Sequence, residues 1–252
     1  MVDSTLKEQT TVSGKIGYSV IIPAFNEEQL LPRTLASLKS VMTEIPQPGE
    51  IIVVDNNSTD KTAEIALNYG ARIVFEPFRQ IAKARNSGAQ TARGAFLIFL
   101  DADTILPLPL LKQALILLEN GTHCGGGSLL SFDSKLPFLA DKLVKLWNWL
   151  SRTSKLAAGS FIFCLAEVFF ETGGFAEDTF AGEEISLSRR LKHWGKKHHL
   201  HFTILVNNPV ITSGRKFHWY SSLQISLLLL LFTIYPYALR SRSLCRFWYN
   251  RP

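Results

Sequence analysis

After Glu184 the chain contains no aspartate or glutamate. That acid-free tail holds 11 Lys and Arg, so it is +11, while the preceding residues hold all 21 acids and are −5. Such asymmetry points to an anionic partner, whether phosphate groups, acidic lipid or nucleic acid, or else to a solvated basic surface. Cysteine is almost as scarce. Cys124, Cys164 and Cys245 are scattered, odd in number and without metal-ligand spacing. This excludes a disulfide framework and a thiolate metal centre, and points to a reducing, cytoplasmic compartment. The opening MVDSTLKEQTTVSGKIG lacks the apolar core of a secretory signal, so residues 1–17 read as a loose arm. Internal repeats and low-complexity tracts are missing, which excludes a solenoid or array.

Charge of either sign is also absent from Trp219 to Leu239, and Leu227 to Phe232 is wholly apolar. This length is at the threshold of a membrane span. Gln224, Ser226, Thr233 and Pro236 interrupt it, and Arg240, Arg242 and Arg246 follow it among Tyr235, Tyr237, Trp248 and Tyr249. Aromatics and arginines beside an apolar run suit a lipid–water interface. The expectation is contact with the cytoplasmic face of a membrane, peripheral or by a single span. The competing reading is a long terminal helix closing over the domain.

What is present reads as one large α/β domain, for which 252 residues suffice. Tyr18 to Pro23 and Glu50 to Asp55 are short apolar runs of the kind buried on both faces of a sheet. Ala71 to Phe75 and Ala95 to Leu100 continue the series. Helices fall between them, around Leu30–Leu38, up to Tyr69, and over Ile81–Ala92; Pro32 requires the first to start late. Strands alternating with helices predict a largely parallel sheet, with ligands beyond the carboxyl ends of its strands. Further on, Leu108–Glu119 reads as a helix, Gly125-Gly126-Gly127 opens a strand, and Gly159–Leu165 reads as another. Leu139, Leu143, Leu146, Trp147 and Leu150 share one face of an amphipathic helix, which more often packs on a core than on a membrane. A last helix runs from Gly182-Glu183-Glu184 to about His193.

The chain is organised around Ala95–Thr104, where an apolar strand ends in Asp101-Ala102-Asp103. In an extended chain Asp101 and Asp103 face the same way, while Ala102 turns toward the body. Two adjacent carboxylates repel unless a cation joins them, and hard oxygen ligands suit magnesium or manganese. A pair of solvated loop aspartates capping the next helix is the alternative.

The strings VIIPAFNEE, VVDNNSTDKT, ARNSGAQTARGAFLIFLDADT and GGF followed by GEEISLSRRL stand in order over about Tyr18 to Leu191. Together they resemble family 2 glycosyltransferases of the GT-A fold. The resemblance implies transfer of one sugar from a nucleotide diphosphate donor, such as a UDP-sugar, to an acceptor hydroxyl with inversion. By the same resemblance Pro23, Ala24, Asn26 and Glu27 line the nucleotide pocket, with Asn57 and Ala102 beside it. Asp55 hydrogen-bonds the base, and Arg85 lies near the base or diphosphate. Asp101 meets ribose or metal, Asp103 holds Mn2+ or Mg2+, and the pair Glu183-Glu184 supplies the catalytic base, with register favouring Glu184. The partners implied are the donor, a lipid-linked or carbohydrate acceptor and an anionic membrane surface, with no nucleic acid. Residues 18–215 form the transferase domain, nucleotide-binding over 18–104 and acceptor-binding over 105–215. Residues 216–252 form a separate apolar and basic segment.

Three departures matter. The family usually has Glu-Asp where this chain has Glu183-Glu184. The glycine often found before the Ala-Arg-Asn step gives way to Gln80-Ile81-Ala82-Lys83. The Gln-x-x-Arg-Trp pattern of processive synthases is absent, which favours single-sugar transfer. Among His198, His199, His201 and His218 one could complete a metal shell, though surface positions are the simpler expectation. The alternatives are a nucleotidyltransferase, which lacks its Gly-rich loop here, and a non-catalytic sugar-nucleotide-binding protein.

Overall fold

The computed structural model describes residues 16–215 and 235–245, with the single positions 217, 224, 227 and 249. The first half alternates as the sequence predicts: β1 (Tyr18–Ala24), α1 (Leu31–Thr43), β2 (Gly49–Asp55), α2 (Thr62–Asn68), β3 (Arg72–Phe75), α3 (Ile81–Thr91) and β4 (Phe96–Leu100). Pro32 sits in the first turn of α1, where its missing N–H is no loss. There follow β5 (Thr104–Ile105), α4 (Leu108–Glu119), β6 (His123–Phe132), α5 (Phe138–Ser154), β7 (Phe161–Leu165), α6 (Ala166–Glu171), α7 (Glu183–Lys197) and β8 (His201–Thr212). A short 3-10 turn spans Pro236–Arg240.

One eight-stranded sheet runs in the order β3-β2-β1-β4-β7-β6-β8-β5. Strands β3, β2, β1 and β4 are parallel. Beyond β4 the sheet is mixed: β7 is antiparallel to β4 and β6, β6 is parallel to β8, and β5 is antiparallel to β8. The apolar runs of β1, β2 and β4 are continuous because both faces are covered. Val20, Ile22, Val53, Ile98 and Leu100 pack with Leu31, Leu35, Leu110 and Leu111 of α1 and α4. Ile21, Ile52, Val54, Leu97 and Phe99 pack with Phe169, Leu187 and Leu191 on the other side. Gly88 lets α3 approach that face: a Cβ there would stand 2.5 Å from Ile21 Cγ2.

Four elements differ from expectation: β5 and α6, which the sequence reading did not mark, together with β8 and α5. Strand β8 was not foreseen, because Asn207-Asn208-Pro209 breaks its alternation. The register with β6 jumps there, from Ser128 opposite Leu205 to Leu130 opposite Val210, so the extra residues lie on β8, and Asn208 takes φ 55°. Helix α5 is turned about its axis relative to the predicted packing. It buries Ala140 and Ser151, while Asn148 exchanges two hydrogen bonds with the Leu130 backbone. Leu139, Leu146 and Leu150, expected inside, are exposed.

Most of the apolar stretch from Trp219 to Leu239 lies outside the described residues. Among the described residues no helix is long and apolar enough to cross a membrane. The described end of the tail returns to the domain. Cys245 and Tyr249 are buried against Ala181, Phe180 and Ile81, and the Tyr249 hydroxyl accepts the Ile81 N–H at 3.2 Å.

Candidate active site

The carboxyl ends of β1, β2 and β4 carry the residues that the sequence singled out. The chain leaves β1 through Asn26, held at φ 50°, a conformation asparagine tolerates. Its backbone N–H donates to Ser58 Oγ at 3.0 Å, and its side-chain oxygen accepts the Thr59 N–H at 2.8 Å. The Glu27 N–H donates to Thr62 Oγ1 at 2.7 Å. The loops after β1 and β2 are thus stitched into one wall. Asp55 ends β2 buried, its Oδ1 accepting the Ser58 N–H at 2.9 Å. Pro23 and Ala24 lie at the end of β1, and Asn57 adopts φ 65° in the following loop.

At the end of β4 the structure corrects the geometry expected of Asp101 and Asp103. The Thr104 N–H donates to the Asp101 carbonyl at 3.2 Å, closing a turn. The same-side rule for extended chain therefore does not hold there. Ala102 is buried, and its carbonyl accepts the Thr34 hydroxyl at 2.8 Å. Each carboxylate meets its own guanidinium. Arg85 donates to Asp101 Oδ1 at 2.9 Å, and Arg215 pairs with Asp103 Oδ2 at 3.1 Å.

Arg85 is almost completely buried and links three elements. It also donates to Glu183 Oε1 at 2.7 Å and to the Gly159 carbonyl at 2.9 Å, and it stands over the Phe175 ring. Burial alone would lower its pKa. The charges of Asp101, Glu183 and Glu184 reverse that and raise it. Arg85 therefore stays charged and fastens the start of α7 to the end of β4.

Gly182, at φ 75°, lets the chain turn into α7. Glu183 and Glu184 then occupy its first turn, where the helix dipole favours negative charge. Their surroundings differ. Glu183 is buried and locked to Arg85. Glu184 makes no side-chain hydrogen bond to another residue among those described. Burial, and then the charge of Glu183, push its pKa up to about 8. Helical spacing does not separate the two glutamates, but their partners do.

Arg215 is the residue that the sequence reading missed. It follows β8, and its Nη2 also reaches Glu27 Oε1 at 2.5 Å. Burial would depress its pKa, but Glu27 and Asp103 together raise it. Thr212, the last residue of β8, donates to Asp103 Oδ1 at 3.4 Å. The signal was an apolar run ending in Thr212-Ser213-Gly214-Arg215, legible only once β8 is recognised.

Among the described residues no group of three or more His, Cys, Asp or Glu could hold a metal ion. His201 begins β8, about 35 Å along the strand from Thr212. With His198 and His199 beside it, it lies at the wrong end to complete a shell at Asp103; His218 is outside the described residues. The donors near Asp103 are hard oxygens, from one carboxylate with a threonine hydroxyl alongside. That set fits magnesium or manganese where phosphate and water fill the other positions.

An open sheet with helices on both faces and acidic loops gathered at the carboxyl ends of its strands matches the GT-A fold. The chain belongs to glycosyl transferase family 2, whose sequence model matches residues 19–166, more than half of it. It is 39% identical over 85 residues to an uncharacterized glycosyltransferase of Mycobacterium bovis, a match covering 34% of this chain and 36% of that protein. The matched stretch is thus about a third of that relative's length. A mannosyltransferase from Pyrobaculum calidifontis, solved with GDP-Man and Mn2+, superposes with a TM-score of 0.61 at 22% identity. That similarity covers 84% of this chain and 61% of the other. Glucosyl-3-phosphoglycerate synthase from Mycobacterium tuberculosis, solved with Mn2+, UDP and glucosyl-3-phosphoglycerate, gives 0.57 at 23% identity, covering 85% and 78%. At such identities the likeness carries the fold alone.

Proposed function

We propose that the protein transfers a single sugar from a nucleotide diphosphate donor, a UDP-sugar, to the hydroxyl of a lipid-linked or carbohydrate acceptor at an anionic membrane face, with inversion. The observation that carries this reading is the division of labour between the two glutamates at the start of α7. Glu183 is tied down by Arg85, while Glu184 keeps its carboxylate for a substrate. A single displacement needs one base and no covalent nucleophile. Glu184 takes the acceptor proton as the hydroxyl attacks the anomeric carbon. Its raised pKa matches that task better than an ordinary carboxylate would.

The joined loops after β1 and β2 hold the nucleoside, with Asp55 and the backbone around Pro23, Ala24, Asn26 and Asn57 as its walls. Asp103 with Thr212 holds the divalent cation. When bound, manganese or magnesium offsets the charge that develops on the departing diphosphate. Arg215 adds a positive charge on the same side and draws the donor's diphosphate toward Asp103. Arg85 keeps Asp101 and the base helix in register. The nucleotides in the Pyrobaculum and Mycobacterium structures, a GDP-sugar in one and UDP in the other, support a nucleotide diphosphate donor here.

The test is release of UDP from UDP-sugars in manganese without acceptor, alongside a thermal-shift screen of UDP-, GDP- and dTDP-sugars. Slow release that disappears in Glu184→Gln, with donor binding kept, is expected. Donor binding with no release from any sugar nucleotide, and no transfer to any hydroxyl acceptor, would leave a non-catalytic binder.

A further inference from the structure

We propose that α5 docks on an anionic lipid surface through its outward face. The packing of this helix leaves much of its apolar surface outside. Its inner seam sets half-buried Leu143, Val144 and Trp147 beside small and polar groups: Ala140 and Ser151 are buried, Ser151 donates to the Leu156 carbonyl at 2.6 Å, and Asn148 bonds both polar atoms of Leu130. Its outer face carries five more large apolar side chains. Phe138 is 78% exposed, Trp149 62%, Leu146 58%, Leu139 41% and Leu150 39%. A helix on a water-facing surface has the opposite arrangement. The two Asn148 hydrogen bonds fix the rotation, so the helix cannot roll to hide this face.

Charge selects the occupant. Lys142, Lys145 and Arg152 are exposed on the same helix, and between Lys135 and Lys155 five bases stand against the single acid Asp141. The Lys142 ammonium stands over the Phe138 ring, 5.3 Å from its centroid. A second copy brought face to face would oppose these bases with their own kind. Acidic lipid headgroups complement them, and Trp and Phe beside Lys suit the interfacial layer. The acid-free tail passes close to this helix where it leaves β8. Gly214 N–H donates to Asp133 Oδ1 at 3.0 Å, and Phe217 meets Phe132 edge-on at 5.3 Å. Arg215, and through it Asp103, therefore lie beside the start of α5, so a docked α5 places the donor site near the lipid surface.

This extends the reading of a membrane-side acceptor, but vesicle binding is measured independently of turnover. The full-length protein is floated with phosphatidylcholine vesicles carrying about a third phosphatidylglycerol, with phosphatidylcholine vesicles as control. Wild type is expected to float with the anionic vesicles at low salt, and much less at high salt or on the neutral ones. The variant L146E/W149E is expected to lose at least about ten-fold in binding, and K142Q/K145Q about five-fold or more. UDP binding and UDP-sugar hydrolysis should be unchanged in both. Undiminished floating of L146E/W149E would show that the tail alone binds lipid and overturn the proposal. So would loss of a concentration-dependent dimer in that variant, which would assign the face to a second copy. A large drop in the variant's melting temperature would assign the face to the chain's own tail, with the same consequence.

Discussion

Replacing Glu184 by glutamine keeps the side chain's shape and removes its charge, so the fold and the chemistry should respond in opposite directions. An ordinary glutamate titrates near 4.5, whereas here burial and the charge of Glu183 push Glu184 up to about 8. Arg85 pulls the other way, and Asp101 adds a little upward. Between those two values the native protein holds one proton more than the unfolded chain. Wild-type stability therefore falls as pH rises through that window, by up to about 1.4 kcal/mol per unit. The glutamine variant has no such proton. Its stability relative to wild type should be nearly unchanged at the acid end and higher by roughly 3–5 kcal/mol by about pH 9. Urea unfolding of both proteins from about pH 5 to about pH 9 reads this directly. Turnover should fall by roughly 10²–10⁴ while UDP affinity stays constant, because the base acts in the transition state. In wild type, kcat/KM should rise with pH and level off above about 8, as the carboxylate becomes available. If the two stability curves run parallel, Glu184 is not the group that titrates in this window. If turnover survives, it is not the base.

Four further outcomes are expected. Arg85→Met strands Glu183 as a buried carboxylate and should cost about 3–5 kcal/mol in urea unfolding; a loss below about 1 kcal/mol would mean that the network is not structural. Glu183→Gln should likewise act on stability more than on turnover. Arg215→Met frees Asp103 from a guanidinium and should raise manganese affinity of the nucleotide-free protein roughly ten-fold while weakening UDP binding, read by manganese EPR and calorimetry; unchanged affinities would show that Arg215 and the cation do not compete. Asp103→Ala should abolish manganese-enhanced UDP binding, and equal binding with and without metal would remove Asp103 from that role.

Residues whose partners are close in sequence, or whose role needs only periodicity, were legible without the structure. Buried parallel strands must be apolar on both faces, so β1, β2 and β4 announce themselves, and their carboxyl ends locate Asp55 and Asp101. Pro32 sets the late start of α1 for the same local reason. Helix α5 misled because amphipathicity gives a helix an apolar face without saying what lies against it. The rotation is set by Asn148 meeting the Leu130 backbone, a contact that no periodicity encodes.

The sequence by itself determined the class of fold, the loops that gather at one end of the sheet and the carboxylates they carry. Tertiary structure decided which cation each carboxylate meets. Arg85 and Glu183 are 98 positions apart, and Arg215 and Glu27 are 188 apart. Those pairs exist because β8 lies beside β5, so that Thr212 and Arg215 arrive next to Asp103, and because α7 starts where β4 ends. A lone Asp-x-Asp leaves open whether its charges share one ion or take separate partners. Long-range strand order sets which guanidinium each one meets, since Coulomb attraction acts only between groups that the fold has already brought within a few ångströms.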